Sequence, residues 1–370
     1  MRSVQLIQVG IGTVGGEVIN QVIAHREEWR QRLELDIQVV AVARGAGALR
    51  RSDRGGLSDD VLRQAIEARR SGGELDLGPR GDGASVEVVP LDQAIDQHTA
   101  AGQTVVLDAA AGDLTAASDA RAIRLGAGVV LSNKAPLAMP LAGSASAALW
   151  KATAPGGRLR YEATCGAGLP VLSTLRTLLD TGDEMIEIQG ALSGTLGAIF
   201  SDVAAESSFA DAVRSAKDRG YTEPDPRDDL SGLDVARKAL ILARTMGRRV
   251  DLSDVAIESL VPDHLAGCTV DEFLERISDL DEGMARRALS AREAGEALKY
   301  IATVPATGPI TVGVQGVTTS SVLGALQGPE NIISMRTRRY DAYPLVVSGP
   351  GAGAAVTAAG MLGDALSLVR

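Results

Sequence analysis

Residues 4–15 read Val4-Gln5-Leu6-Ile7-Gln8-Val9-Gly10-Ile11-Gly12-Thr13-Val14-Gly15, an apolar run that ends in three spaced glycines. The run Val4–Val9 predicts a buried strand, and the stretch from Thr13 to Gln31 predicts a helix. The glycine turn between them has a mechanical reading. Gly10 permits the tight turn, Gly12 lets backbone approach a pyrophosphate, and Gly15 lets helix and strand pack closely. Thr13 and Val14 then begin a helix whose first N–H groups carry partial positive charge toward phosphates. A glycine-rich turn that merely joins strand to helix is the plain alternative. The strand before the turn and the helix after it favour a dinucleotide site.

Further strands are expected at Ile37–Ala43, Val86–Val89, Thr104–Asp108 and Val129–Ser132, separated by helical stretches. Continuous Val/Ile/Leu runs alternating with helices predict an α/β fold of Rossmann type, a doubly wound parallel sheet covered on both faces. Arg50–Asp82 reads as helical excursions with a mobile surface loop. The second strand ends at Ala43-Arg44, with Arg50-Arg51 after it and no acid before Asp53. A carboxylate there would suit the ribose hydroxyl of NAD, whereas Arg44 can fork two N–H bonds onto a 2′-phosphate. NADP(H) is therefore the expected preference, with NAD(H) possible.

From Leu159 the pattern changes. Strands at Glu184–Leu192 and Ile310–Gly316 mix with helices at Leu233–Met246 and Val270–Leu280, which fits a second, mixed α+β domain. The tail Thr357–Val369 reads as an apolar helix suited to docking on the first sheet. The expected division is residues 1–148 plus 337–370 for the dinucleotide, and 149–336 for substrate binding and dimerisation.

A chain of 370 residues is long for one core and suits about two domains. Its formal charge is −10, and no Lys/Arg cluster interleaves with aromatics, which argues against nucleic acid. No apolar run reaches the roughly 18 residues of a membrane span, so no membrane partner is expected. The opening residues run straight into a strand and leave no room for a signal peptide. With Cys165 and Cys268 the only cysteines, a reducing, cytoplasmic setting is expected.

The most distinctive chemistry lies in residues 216–238, AKDRGYTEPDPRDDLSGLDVARK. A Pro-rich turn carrying Glu223, Asp225, Asp228 and Asp229 precedes a helix that spaces Asp234 and Lys238 one turn apart, on one face. Carboxylates around a single lysine could hold an ammonium-bearing substrate and pass one proton. A solvated acidic loop and an ordinary surface ion pair are the alternative. Ser132-Asn133-Lys134-Ala135-Pro136 follows a strand at the edge where open α/β sheets bind ligands, so Lys134 could reach cofactor or substrate. In Tyr161–Pro170, YEATCGAGLP, two glycines could turn carbonyls inward around a hard cation with Glu162 supplying charge. Cys165 could instead be the nucleophile of an acylating aldehyde dehydrogenase, but such a thiol needs a basic activator. The three histidines, His25, His98 and His264, lie outside these motifs.

Taken in order, GIGTVG, SNKAPLA, YEATCGAGLP, SGTL, the 216–238 stretch, GPGAG at Gly349–Gly353 and the following TAAG resemble the homoserine dehydrogenase family over nearly the whole chain. The resemblance implies NAD(P)-dependent interconversion of L-aspartate 4-semialdehyde and L-homoserine, a step toward threonine, methionine and isoleucine. It implies a homodimer, a small-molecule substrate, Lys238 as catalytic lysine with Asp234 beside it, and Glu223, Asp229 and Thr195 as substrate contacts. Lys134 would stand at the nicotinamide–substrate junction and Gly349 would touch the cofactor. A structural monovalent cation, Na+ or K+, would take Glu162 and the backbone of Cys165, Ala167 and Leu169. Two departures stand out: Leu192–Thr195 lacks the Asn of many members, and Cys165 replaces a more usual Val. The chain has neither an aspartate kinase before it nor an ACT domain after it, so threonine feedback is not expected. The rival readings are an acylating semialdehyde dehydrogenase using Cys165, and a dehydrogenase for another hydroxy amino acid.

Overall fold

The computed structural model describes residues 1–73 and 85–370. They form two compact units, Met1–Gly168 with Gly353–Arg370, and Leu169–Ala352.

The first unit contains β1 (Arg2–Val9), β2 (Leu35–Arg44), β3 (Gly47–Arg51), β4 (Val86–Pro90), β5 (Gln103–Asp108), β6 (Gly128–Leu131) and β7 (Leu159–Arg160). They join in the order β4-β3-β2-β1-β5-β6-β7. The β2-β1-β5-β6-β7 series is parallel, and β3 and β4 add to it antiparallel. This is the doubly wound α/β fold expected from the apolar runs. The chain leaves β1 toward β2 and resumes on its other side with β5, so strand order reverses there, the place where such sheets bind ligands. Register brings the strand ends level: Val9 lies opposite Ala43 on one side and Asp108 on the other.

The helix Thr13–Leu33 buries Val18, Ile19, Val22 and Trp29 against the sheet. The closing helix Ala354–Val369 adds Ala358, Met361, Leu362, Ala365 and Val369 to the same core. This docking matches the reading of the tail. Arg50 and Arg51 differ from theirs: they end β3, a hairpin partner of β2 turned at Gly45 (φ +60) with Ala48 and Leu49 fully buried. Of the remaining stretch, Asp59–Arg70 is a helix, and the expected loop beyond residue 73 falls outside the described residues. Because β7 pairs with β6, the first unit continues to Gly168, whereas the sequence had placed its boundary at residue 148.

The second unit carries β8 (Met185–Ala191), β9 (Val255–Ile257), β10 (Glu296–Pro305), β11 (Ile310–Thr318), β12 (Glu330–Thr337) and β13 (Leu345–Pro350), ordered β13-β12-β8-β10-β11-β9. All pairs are antiparallel except β9 with β11. β13 extends this sheet, so the unit runs to Ala352. Helices Gly194–Ala204 and Leu233–Thr245 pack on β10, where Phe200 stacks on Tyr300 and the Tyr300 hydroxyl donates to the Glu258 carbonyl at 2.7 Å. The expected helix Val270–Leu280 is α-helical only to Arg276, then tightens to a 3₁₀ turn. No helix among the described residues is long and apolar enough to cross a membrane.

Candidate active site

The glycine turn after β1 meets three different steric demands. Gly10 has φ +76, and a Cβ there would lie 2.8 Å from the Ala109 carbonyl at the end of β5. A Cβ on Gly15 would lie 1.8 Å from the Gly10 oxygen. At Gly12 a Cβ would meet nothing within 4 Å, so the space over it is open. The protein's own packing therefore requires the outer two glycines, while the middle one leaves open space above the turn. Gly12 is the N-cap of the helix Thr13–Leu33 and, lacking a side chain, makes no capping bond to the first N–H groups at Thr13 and Val14. Gln8, buried beneath, donates to the Val9 and Gly10 carbonyls at 3.1 and 2.9 Å and braces the turn.

Arg44 ends β2 level with this turn and donates to the Gly73 carbonyl. The neighbouring arginines are committed elsewhere: Arg50 pairs with Glu87 at 2.6 Å and Arg51 with Asp53 at 2.6 Å. Lys134 is half-buried at the start of the short helix Ala135–Ala138, following β6. Its main chain is fixed by Asn133, whose Oδ1 accepts from the Ala135 N–H at 3.1 Å.

In the second unit, Lys238 is only 8 % exposed, on a helix whose neighbouring Val235, Ala236, Ala239 and Leu240 are buried too. Its ammonium is 2.8 Å from Asp234 Oδ2 and donates to the Leu192 carbonyl at 2.6 Å. The helical spacing thus produces the expected pair, and the end of β8 supplies a third group. Gly232 (φ +71) starts this helix, and a Cβ there would lie 2.0 Å from the Tyr300 hydroxyl. Glycine is therefore what lets the helix approach β10 so closely.

The acidic turn is braced in two ways. Asp225 accepts from the Arg227 N–H at 3.0 Å and pairs with its guanidinium at 2.6 Å, while that guanidinium also donates to the carbonyls of Leu265, Ala266 and Cys268. Asp229 accepts from the Thr195 hydroxyl at 2.9 Å and from the Glu223 N–H at 2.8 Å. Burial pushes the Asp229 carboxyl above its ordinary range, and these two hydrogen bonds pull it back. Thr195 lies in the first turn of the helix capped by Ser193, so the SGTL motif and the acidic turn meet. Glu223 is exposed at the tip of the turn. Asp225, singled out with the acids, serves as a cap and an Arg227 partner.

Glu162, Cys165 and Ala167 lie in one tight loop of the first unit, and Leu169 opens the second. Glu162 is 9 % exposed, and Gly166 (φ +88) and Ala167 (φ +55) are successively left-handed. For alanine that conformation costs roughly 1–2 kcal/mol. Cys165 is fully buried, against the Thr164 hydroxyl. A nucleophile must be reached by its substrate, so this burial counts against the acylating chemistry. Gly349 lies in β13 opposite Asn331, in the second unit, whereas the other cofactor candidates belong to the first.

Two groups escaped the sequence reading. The Leu192 carbonyl carries no side-chain signal at all. Asp108 does: it is an acid closing an apolar strand, and it is wholly buried.

A dinucleotide-type sheet with an open glycine turn, joined to a mixed α+β unit with a buried lysine paired to a half-exposed aspartate, defines a two-unit protein of pyridine-nucleotide architecture. A family model described as homoserine dehydrogenase matches residues 170–366. The chain is 37% identical over 325 residues to the homoserine dehydrogenase of Saccharomyces cerevisiae, covering 82% of this chain and 89% of that one. It is 37% identical over 362 residues to bifunctional aspartokinase/homoserine dehydrogenase 2, chloroplastic, of Arabidopsis thaliana, covering 97% and 38% respectively. The chain thus spans about two fifths of the length of the bifunctional relatives it matches. A hyperthermophilic archaeal homoserine dehydrogenase in complex with NADPH shares the fold, with TM-score 0.72 and 20% identity over 99% of this chain and 98% of that one. The chain belongs to the homoserine dehydrogenase family.

Proposed function

We propose that this protein is an NAD(P)-dependent homoserine dehydrogenase, an oxidoreductase acting on a CH–OH group, interconverting L-homoserine and L-aspartate 4-semialdehyde. The observation that carries the reading is the Lys238 ammonium, withdrawn from solvent and aimed by Asp234 and the Leu192 carbonyl beside the acidic turn. A bound nicotinamide would supply or accept the hydride. Lys238 gives a proton to the alkoxide oxygen on reduction and receives it on oxidation, with Asp234 holding the amine in place. Glu223 and Asp229 present carboxylates to the substrate ammonium, and Thr195 fixes the orientation of Asp229. Lys134, on the first unit, is the second candidate for the proton.

The cradle at Gly12, with Gly10, Thr13, Val14 and Gly15, would hold the pyrophosphate, with Gly349 a further contact. Arg44 favours the 2′-phosphate of NADP(H) over NAD(H), since among the described residues it is the arginine at that strand end with no carboxylate partner. A monovalent cation, Na+ or K+, would sit on Glu162 and the carbonyls of Cys165, Ala167 and Leu169. The left-handed alanine is strain that such a site would explain. The homodimer reading rests on the family resemblance and on β13, which exposes Val346, Ser348 and Pro350 along one side. A cytoplasmic role in threonine, methionine and isoleucine synthesis completes the proposal. The direct test is the absorbance of reduced nicotinamide with homoserine and each oxidised cofactor in turn. Turnover with homoserine, faster with NADP+, supports it. Turnover that requires phosphate and a thiol acceptor would move the function to the acylating reaction.

A further inference from the structure

We infer that Asp108 is a positioning residue for the reaction, setting the loop after β5 and, through Asn133, the main chain at Lys134. Its carboxylate is fully buried at the strand end beside the glycine turn. Oδ1 accepts from the Ala110 N–H at 2.8 Å. Oδ2 accepts from the Thr115 hydroxyl at 2.7 Å and from Asn133 Nδ2 at 3.3 Å. Asn133 in turn donates to the Gly112 carbonyl at 2.7 Å and accepts from the Ala135 N–H at 3.1 Å. One carboxylate therefore ties the loop after β5 to the loop after β6, at the edge where the dinucleotide turn also lies.

The chemistry of the hub is restrictive. A carboxylate is acceptor-only, and each of its oxygens faces a donor here. An amide at 108 must point an NH₂ group at Ala110 or at Asn133. Turning Asn133 to suit it would cost the bonds to Ala135 and Gly112. Behind the hub lies Asp119, also buried, with Oδ2 unpartnered among the described residues. Burial first, and the Asp108 charge second, push the Asp119 acid well up, and its side chain is hydrogen-bonded to Asp108. A network of this kind holds its members in one arrangement, which is what a lysine at a reaction centre needs.

The inference rests on the reading that Lys134 meets cofactor or substrate, and the test separates the two. Asp108→Asn, Asn133→Ala and the double variant are compared with the parent in three measurements. The first is amide hydrogen exchange of the cofactor-free protein over peptides containing Ala110 and Ala135. The second is NADPH titration, and the third is steady-state turnover of homoserine. Exchange at Ala135 should rise at least about tenfold in both single variants. Turnover should fall about 10–100-fold with homoserine KM and NADPH affinity within about threefold of the parent, and the double variant should be no worse than the poorer single. Additive losses in the double variant would overturn the relay through Asn133. So would unchanged exchange at Ala135, or a lowered melting temperature with turnover intact. If Lys134→Met keeps full turnover, the reading of Lys134 falls by itself, and the exchange result still decides whether Asp108 sets the two loops.

Discussion

The glycine turn and the acidic turn solve opposite problems. In the first unit the site is made by removing side chains: Gly12 leaves open space, while Gly10 and Gly15 let main chain touch main chain. In the second it is made by withdrawing a side chain from water and surrounding it with partners, as Lys238 is held by Asp234 and Leu192. A binding site for a large, phosphate-bearing cofactor needs room and N–H dipoles. A proton-transfer site needs one amine in one place. The two should therefore fail differently when altered.

The largest expected effect is at Lys238. Lys238→Met should lower turnover about 10²–10⁴-fold, the range of a general acid–base group, and leave the melting temperature within a few degrees. Rates near the parent's would transfer the role to Lys134. Next is Asp229. Asp229→Ala removes the acceptor shared by Thr195 and Glu223 and should raise homoserine KM at least about tenfold with a smaller fall in turnover. A change confined to turnover would place Asp229 in the chemistry instead. Gly12→Val comes third: its Cβ meets no protein atom, so folding should survive while NADPH affinity drops about tenfold or more. An unchanged affinity would mean the cradle is empty space without a function.

What could be read in advance follows the same division. The strand, glycine turn and helix were legible because their constraints are local: three glycines, an apolar run before them and a helical stretch after. Asp234 and Lys238 were legible because helical periodicity alone puts them on one face. The Leu192 carbonyl was not, since a main-chain partner 46 residues away leaves no mark on composition. The β2–β3 hairpin was missed for a related reason. Arg50 and Arg51 look like loop residues, yet the Gly45 turn and the pairing of Leu49 with Val42 make them the end of a strand. In the second unit, β12 and β13 carry short mixed patterns whose pairing depends on β8, distant in sequence. Asp108 stood at a predicted strand end, but its donors come from residues 110, 115 and 133, which only the fold brings together.

The smallest expected effect concerns stability. Burial raises the carboxyls of both Asp108 and Asp119. The fold thus holds these protons more tightly than the unfolded chain does. Their contribution is fully present below the ordinary carboxylate value of 3.8 and is lost as pH rises through the folded-state values. Asp119→Asn supplies a permanent donor toward Asp108 and removes one such titration. Its melting temperature should exceed the parent's at alkaline pH by about 2–4 °C for each 1 kcal/mol recovered, and the gap should close in acid. A gap that widened as pH fell would reverse the assignment.

The central claim is that nucleotide binding and proton transfer reside in separate groups, and the NADPH dissociation constant of Lys238→Met tests it most directly. The account predicts a value within about threefold of the parent's in a protein whose turnover has nearly vanished. An affinity that collapses together with turnover would contradict it.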